Sequence, residues 1–73
     1  MKVRYDPEAD AAYVAIGREP RRGESTSQVT EISNPLGRGE IILDFDSAGH
    51  LIGVEILSAS ELLRPEDLQT EAN

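Results

Sequence analysis

The stretch "EIILDFDSAGHLIGVEIL", Glu40 to Leu57, constrains the fold more than any other part of the chain. Ile41, Leu43 and Phe45 alternate with Ile42 and Asp44, and after "DSAG" the residues Ile52, Val54 and Ile56 alternate with Leu51, Gly53 and Glu55. An apolar residue at every second position is the periodicity of a strand. Two such runs, joined by an Asp-initiated connection containing glycine, predict a β-hairpin over 40–57. Burying Ile41, Leu43, Phe45, Ile52, Val54 and Ile56 would contribute on the order of 10 kcal/mol gross, most of it cancelled by conformational entropy.

Further strands flank the hairpin. Val3 and Tyr5 alternate with Lys2 and Arg4 as a half-buried strand. In "YDPEADAAYV", Asp6 is suited to cap a helical turn and Pro7 to occupy its first position, with Glu8 and Asp10 at the end where the helix dipole favours acids. A second strand follows, with Ala12, Val14 and Ile16 on one face and Tyr13 and Ala15 on the other. Apolar groups on both faces place this strand away from an edge or under cover on each side. "GREPRRGE" and "SNPLGRG" read as loops. Between them, "STSQVTEI" reads as a polar strand near an edge. After the hairpin, "SASE" has the spacing of a capping box, Ser58 to Glu61, and Leu62 and Leu63 would pack on the sheet before Pro65 ends the turn. "PEDL" begins another short turn with Leu68 as its apolar contact, and 69–73 read as a frayed tail. The expected architecture is α+β: a small antiparallel sheet of about four strands including the 40–57 hairpin, a short helical turn near residue 7, and a short C-terminal helix.

At 73 residues this is one small domain. It buries only about 60% of the surface its unfolded chain exposes, so the core is thin and association is an expected source of stability. The net charge of −7, from 14 acidic and 7 basic residues, argues against binding a nucleic-acid backbone. It permits a basic protein partner, and it also suits a protein kept soluble by charge. There is no cysteine, which excludes disulfides and cysteine-ligated metals. The charged N-terminus lacks a signal-peptide apolar region, and the apolar runs, Ile41 to Leu43 among them, are too short to cross a membrane. A cytoplasmic location is expected.

Three constellations could carry chemistry. Asp6, Glu8 and Asp10 could hold a hard cation, but their spacing fits no calcium loop, and capping with dipole effects accounts for their placement. Asp44, Asp46 and His50 could form a metal site or a proton-transfer pair. The competing reading is a hairpin turn in which Asp46 accepts backbone amides and Gly49 supplies a positive φ. Arg18, Arg21, Arg22 and Arg38 would make a basic patch if their two loops met. One His and no Cys leave no nucleophilic triad to assemble. No catalytic, cofactor-binding or metal residue is assigned, and no cofactor is expected.

"VRYDPEADAAYVAI" and "GEIILDFDSAGHLIGVEILSAS" resemble domain-of-unknown-function family 2283, a group of small bacterial and archaeal proteins. The matching positions are Tyr5, Asp6, Glu8, Ala9, Asp10 and Tyr13, then Asp44, Asp46, Gly49, Gly53 and Glu55. The resemblance implies a compact antiparallel sheet with a short C-terminal helix, and no established activity. It also implies, by genomic association with small ribonuclease-like toxins, an antitoxin-like role for some members. This chain departs from the shorter form at "REPRRGE" and "NPLGRG", and Ala12 stands where a larger aliphatic residue is usual. The leading expectation is a non-catalytic protein-interaction module, antitoxin-like toward a basic ribonuclease-type toxin. The alternatives are a self-associating structural protein, hence a homo-oligomer, and a metal-dependent enzyme using one of the carboxylate groups.

Overall fold

The computed structural model describes residues 2–72, and side chains from 3 to 68. Five antiparallel strands form one sheet: β1 (Lys2–Asp6), β2 (Ala11–Ala15), β3 (Ser27–Ile32), β4 (Glu40–Phe45) and β5 (Leu51–Leu57). Their order is β1-β2-β5-β4-β3. The sheet thus has five strands, where the block pattern of the sequence predicts about four. A short helix, α1 (Ala59–Leu62), and a 3-10 helix, Pro65–Ala72, follow β5. The turn expected to be helical near residue 7 is instead a tight β-hairpin connection, because Asp6 already pairs with Ala11 and only four residues lie between them. The expected fraying of 69–73 concerns Asn73 and side chains outside the described residues.

The predicted hairpin forms as β4 and β5 and occupies the middle of the sheet. Its register pairs Ile41 with Ile56 and Leu43 with Val54, but then shifts so that Phe45 faces Leu51. Ile52 is left out of the β4 ladder, and its carbonyl accepts the Ile16 amide at 3.1 Å. The turn is built as the residue types predict. Asp46 Oδ1 accepts the amides of Ala48 and His50 at 3.0 and 2.9 Å, and Gly49 sits at φ 83°.

Directly paired residues share a sheet face, so the register defines cross-sheet rows. On one face, Tyr5, Ala12, Ile56, Ile41 and Ile32 form the first row. Val3, Val14, Val54, Leu43 and Val29 form the second. No residue in either row is charged. On the other face lie Arg4, Tyr13, Glu55 and Ile42, followed by Ala15, Gly53, Asp44 and Gln28. β2 carries buried groups on both faces, Ala12 at 2% and Ala15 at 0% exposure, as expected for an inner strand.

The helices cover only part of the apolar face. Ala12, Ile56 and Ala59 are the buried centre, with Tyr5, Val14, Val54, Leu62, Leu63 and Leu68 packed around them. Ala12 and Ala59 are small, which lets the helix approach the sheet closely. The expected burial of the six hairpin residues is not reached: only Ile56 is buried, and among the described residues no large side chain is fully enclosed. β3 is the exposed edge strand that its polar sequence predicts. Its register shifts between Val29 and Ile32, with Glu31 at φ 67°, and such a bulge interrupts the edge against pairing with another strand.

Candidate functional site

The three opening carboxylates do not converge. Asp6 Oδ1 accepts the amides of Glu8 at 3.0 Å and Ala9 at 3.5 Å, closing the β1–β2 turn. Asp6→Ala removes this cap and should cost about 1 kcal/mol of stability, read from denaturant midpoints. Glu8 is exposed. Asp10 turns the other way. Its Oδ1 accepts the Tyr5 hydroxyl at 3.0 Å and the Ser60 amide at 2.9 Å, and its Oδ2 accepts the Ser60 hydroxyl at 2.7 Å. Its carbonyl accepts the Ala59 amide at 2.8 Å.

Asp10 therefore caps α1 from fifty residues away. The capping box predicted for Ser58 and Glu61 does not form: Ser58 lies at φ 54°, makes no side-chain cap bond, and Glu61 pairs with Arg38 at 3.4 Å. A left-handed Ser58 turns the chain sharply out of β5 and aims the first amides of the helix at Asp10. The Ser60 hydroxyl above all holds the Asp10 carboxyl below its ordinary value of 3.8, against the opposing effect of burial and with the help of the Ser60 amide and Tyr5. The same bond, seen from the phenol, raises Tyr5 above 10.0.

Asp44 is the one buried charged residue among those described, at 7% exposure. Gln28 Nε2 donates to its Oδ1 at 2.8 Å and the Tyr13 hydroxyl to its Oδ2 at 3.4 Å. Tyr13 reaches Asp44 by lying across Gly53, where an added Cβ would stand 1.8 Å from the phenol oxygen. A single glycine inside an alternating strand marks such a close approach. The Arg4 guanidinium lies 5.2 Å from the Tyr13 ring centroid and forks onto Glu19 at 3.0 and 3.1 Å. Burial first, then the Asp44 charge, raises the Tyr13 phenol above 10.0. Tyr13 is thus a neutral donor at pH 7. Asp44 and Asp46 serve different places, the sheet face and the hairpin turn, with His50 Nδ1 3.5 Å from Asp46. Among the described residues no three His, Asp or Glu side chains are grouped to hold a metal ion.

The arginines do not form one patch. Arg18 pairs with Glu24 in a loop that shares a groove with Asp46 and Ile52. Arg38 precedes β4 and pairs with Glu61 of α1. The six-residue length of β4, about 20 Å, separates these ends. Arg18, and then the Arg21 amide, hold Glu24 down at about 2.

These shifts set the pH dependence. Asp10, Asp46 and Glu24 have depressed values in the folded chain, so their stabilising contribution is complete above the ordinary carboxylate range. It is lost as pH falls through the lowered values. The two tyrosines are raised, so their contribution is complete below pH 10.0 and is lost above it. A melting temperature level from pH 5 to 9 and falling on both sides is expected from thermal scans.

The polar face uses its groups on one another. The apolar face does not: Leu43 and Phe45 are half-buried, Val29 is 48% exposed, and these three lie outside the cluster around Ala12, Ile56 and Ala59 that takes in Val14 and Val54. This partly bare, charge-free surface is the candidate functional site. Sequence reasoning identified Leu43 and Phe45 as core and missed that they are only half-buried, while it placed Val29 in a polar strand near an edge.

A family model described as "Protein of unknown function (DUF2283)" matches residues 2–60. No curated protein and no solved structure matches the chain.

Proposed function

From the premise that the chain belongs to this family of proteins of unknown function, whose matched span covers all five strands, we propose that it is a non-catalytic protein-interaction module. Its docking surface is the charge-free sheet face around Val29, Leu43 and Phe45. The single observation that carries this reading is the far end of the second row, where half-buried Leu43 and Val29, at 48% exposure, lie outside the cluster packed on Ala12, Ile56 and Ala59. Contiguous exposed apolar surface on a small protein marks interaction sites. The titratable clusters are occupied in structural bonds: Asp6, Asp10 and Asp46 close turns or cap a helix, and Asp44 binds Tyr13 and Gln28.

An antitoxin-like role toward a basic ribonuclease-type toxin is a second reading, supported by the net charge of −7. It would use the acidic loops and turn rather than the apolar face, and a complex of that kind weakens as salt rises.

A photo-crosslinking residue at position 29, compared with one at the hairpin tip, position 48, tests the main reading in cells. Abundant adducts from position 29 and few from 48 are expected. Equal yields from both, or none from 29, would overturn it.

A further inference from the structure

The geometry points to a binding site for an aliphatic diamine in a hollow on the polar side of β1, β2 and β5. This site is independent of the apolar surface, which lies on the opposite side of the sheet.

The hollow has a volume of about 420 Å³ and is lined by Arg4, Asp6, Ala11, Tyr13 and Glu55 among others. That volume is within the range of small-molecule sites. It exists because Ala11 is small and because Tyr13, the next residue on the same side of β2, leans away from it across Gly53 to reach Asp44. The C-terminal helices pack against Ala12 and Ile56 on the other side of the sheet and leave the hollow open.

Its free valence is negative. Arg4 is the one cation lining it, and its guanidinium is already forked onto Glu19. Glu55 is the exception on a polar face whose other groups bind one another. It stands half-buried on an inner strand between Tyr13 and Ile42, and among the described residues its carboxylate makes no hydrogen bond or ion pair. Asp6 accepts its two turn amides through Oδ1 alone, so Oδ2 is available.

The separation of these two carboxylates selects the ligand. Asp6 pairs with Ala11 and Ala11 with Leu57, while Glu55 lies two residues before Leu57. The two acids are therefore at opposite corners, two strands across and two residues along, about 12 Å apart between α-carbons. One metal ion cannot touch both, in keeping with the absence of a metal-binding group among the described residues. A molecule with an ammonium at each end can: one end pairs with Asp6, the other with Glu55, and the methylenes between them lie over the Ala11 methyl and the edge of Tyr13. A four-carbon diamine has that length. Both ion pairs are partly solvated, so each strengthens binding only a few-fold and the complex weakens as salt rises. A dissociation constant in roughly the millimolar range follows.

Titration of the full chain with 1,4-diaminobutane in low-salt buffer, followed by amide NMR shifts, tests this. Saturating shifts at Ala11, Tyr13 and Glu55 are expected, with Ala48 at the hairpin tip unmoved. 1-Aminobutane, with one charge, should bind roughly three- to fivefold more weakly. Glu55→Gln and Asp6→Asn, the second of which keeps the turn cap, should each reduce the diamine to the affinity of the monoamine. Ala11→Leu should fill the hollow and abolish the shifts. All three variants should fold, checked by circular dichroism. Shifts that do not saturate, shifts spread equally over the acidic turn at Asp46, equal affinity for the two amines, or variants that bind like the wild type would each overturn the proposal. The same shifts from a dilysine peptide but not from the diamine would assign the hollow to side chains of a protein partner and overturn it as well.

Discussion

Asp10→Ala should release the C-terminal helix from the sheet. The carboxylate takes the Tyr5 hydroxyl, the Ser60 amide and the Ser60 hydroxyl at once. Removing it leaves the first turn of α1 with the Asp10 carbonyl alone. Asp10 also sits at φ 51°, a left-handed conformation that Asp and Asn tolerate better than alanine. Helix capping and turn geometry are thus lost together. The melting temperature should fall further than for Asp6→Ala, whose carboxylate serves only its own turn. Leu62, Leu63 and Leu68 lose their fixed position over Ala12 and Ile56 as the helix detaches. Asp10→Asn keeps the backbone conformation and one acceptor and should be milder, with a smaller loss of stability on acidification because its side chain cannot be protonated. An Asp10→Ala protein melting like the wild type would show that the helix is held by its leucines alone.

Gly53→Ala should be the most damaging small change within the sheet. The new Cβ would stand 1.8 Å from the Tyr13 oxygen and 2.4 Å from the ring carbon bearing it. Tyr13 must swing away, and Asp44, at 7% exposure, then keeps only Gln28. Overpacking of this kind costs about 1–3 kcal/mol. The cause can be isolated by a double-mutant cycle. In a Tyr13→Ala background the clash is absent, and Gly53→Ala should cost little. In Gly53→Ala alone, the Tyr13 phenol, freed from burial and from Asp44, should also titrate nearer its ordinary value of 10.0. Equal costs of Gly53→Ala in both backgrounds would place the effect in the strand backbone instead.

Much of the architecture is legible in the residues. The alternation from Ile41 to Ile56 predicts the central hairpin, and Asp46 with Gly49 predicts its turn, because these depend on local periodicity and local hydrogen bonds. The opposed apolar faces of Ala12 and Ala15 predict an inner strand, and the polar run near Val29 predicts an edge. What was not legible is non-local. Ser58 and Glu61 have the spacing of a capping box, yet Asp10 supplies the cap from across the fold. No pattern within a short window can show that. The register shift that sets Phe45 opposite Leu51 is likewise invisible to a strict period of two. The six hairpin residues were readable as an apolar face, but not the extent of their cover. That depends on how far a four-residue helix and the 3-10 helix after it reach across five strands. The relation of Tyr13, Gly53 and Asp44 lies between these cases: the lone glycine marks a close approach, and only the register names what approaches it.

The central claim is that the charge-free face is a working surface, covered when the protein meets its partner. The most direct measurement is the exposure of the Val29 and Leu43 methyl groups to a soluble paramagnetic relaxation agent, followed by NMR of the labelled protein in dilute buffer and in concentrated extract of the cells that make it. These methyls should broaden in buffer and become protected in the extract, while the Ala48 methyl at the hairpin tip stays equally accessible in both. Unchanged broadening of the Val29 and Leu43 methyls in the extract would contradict the account.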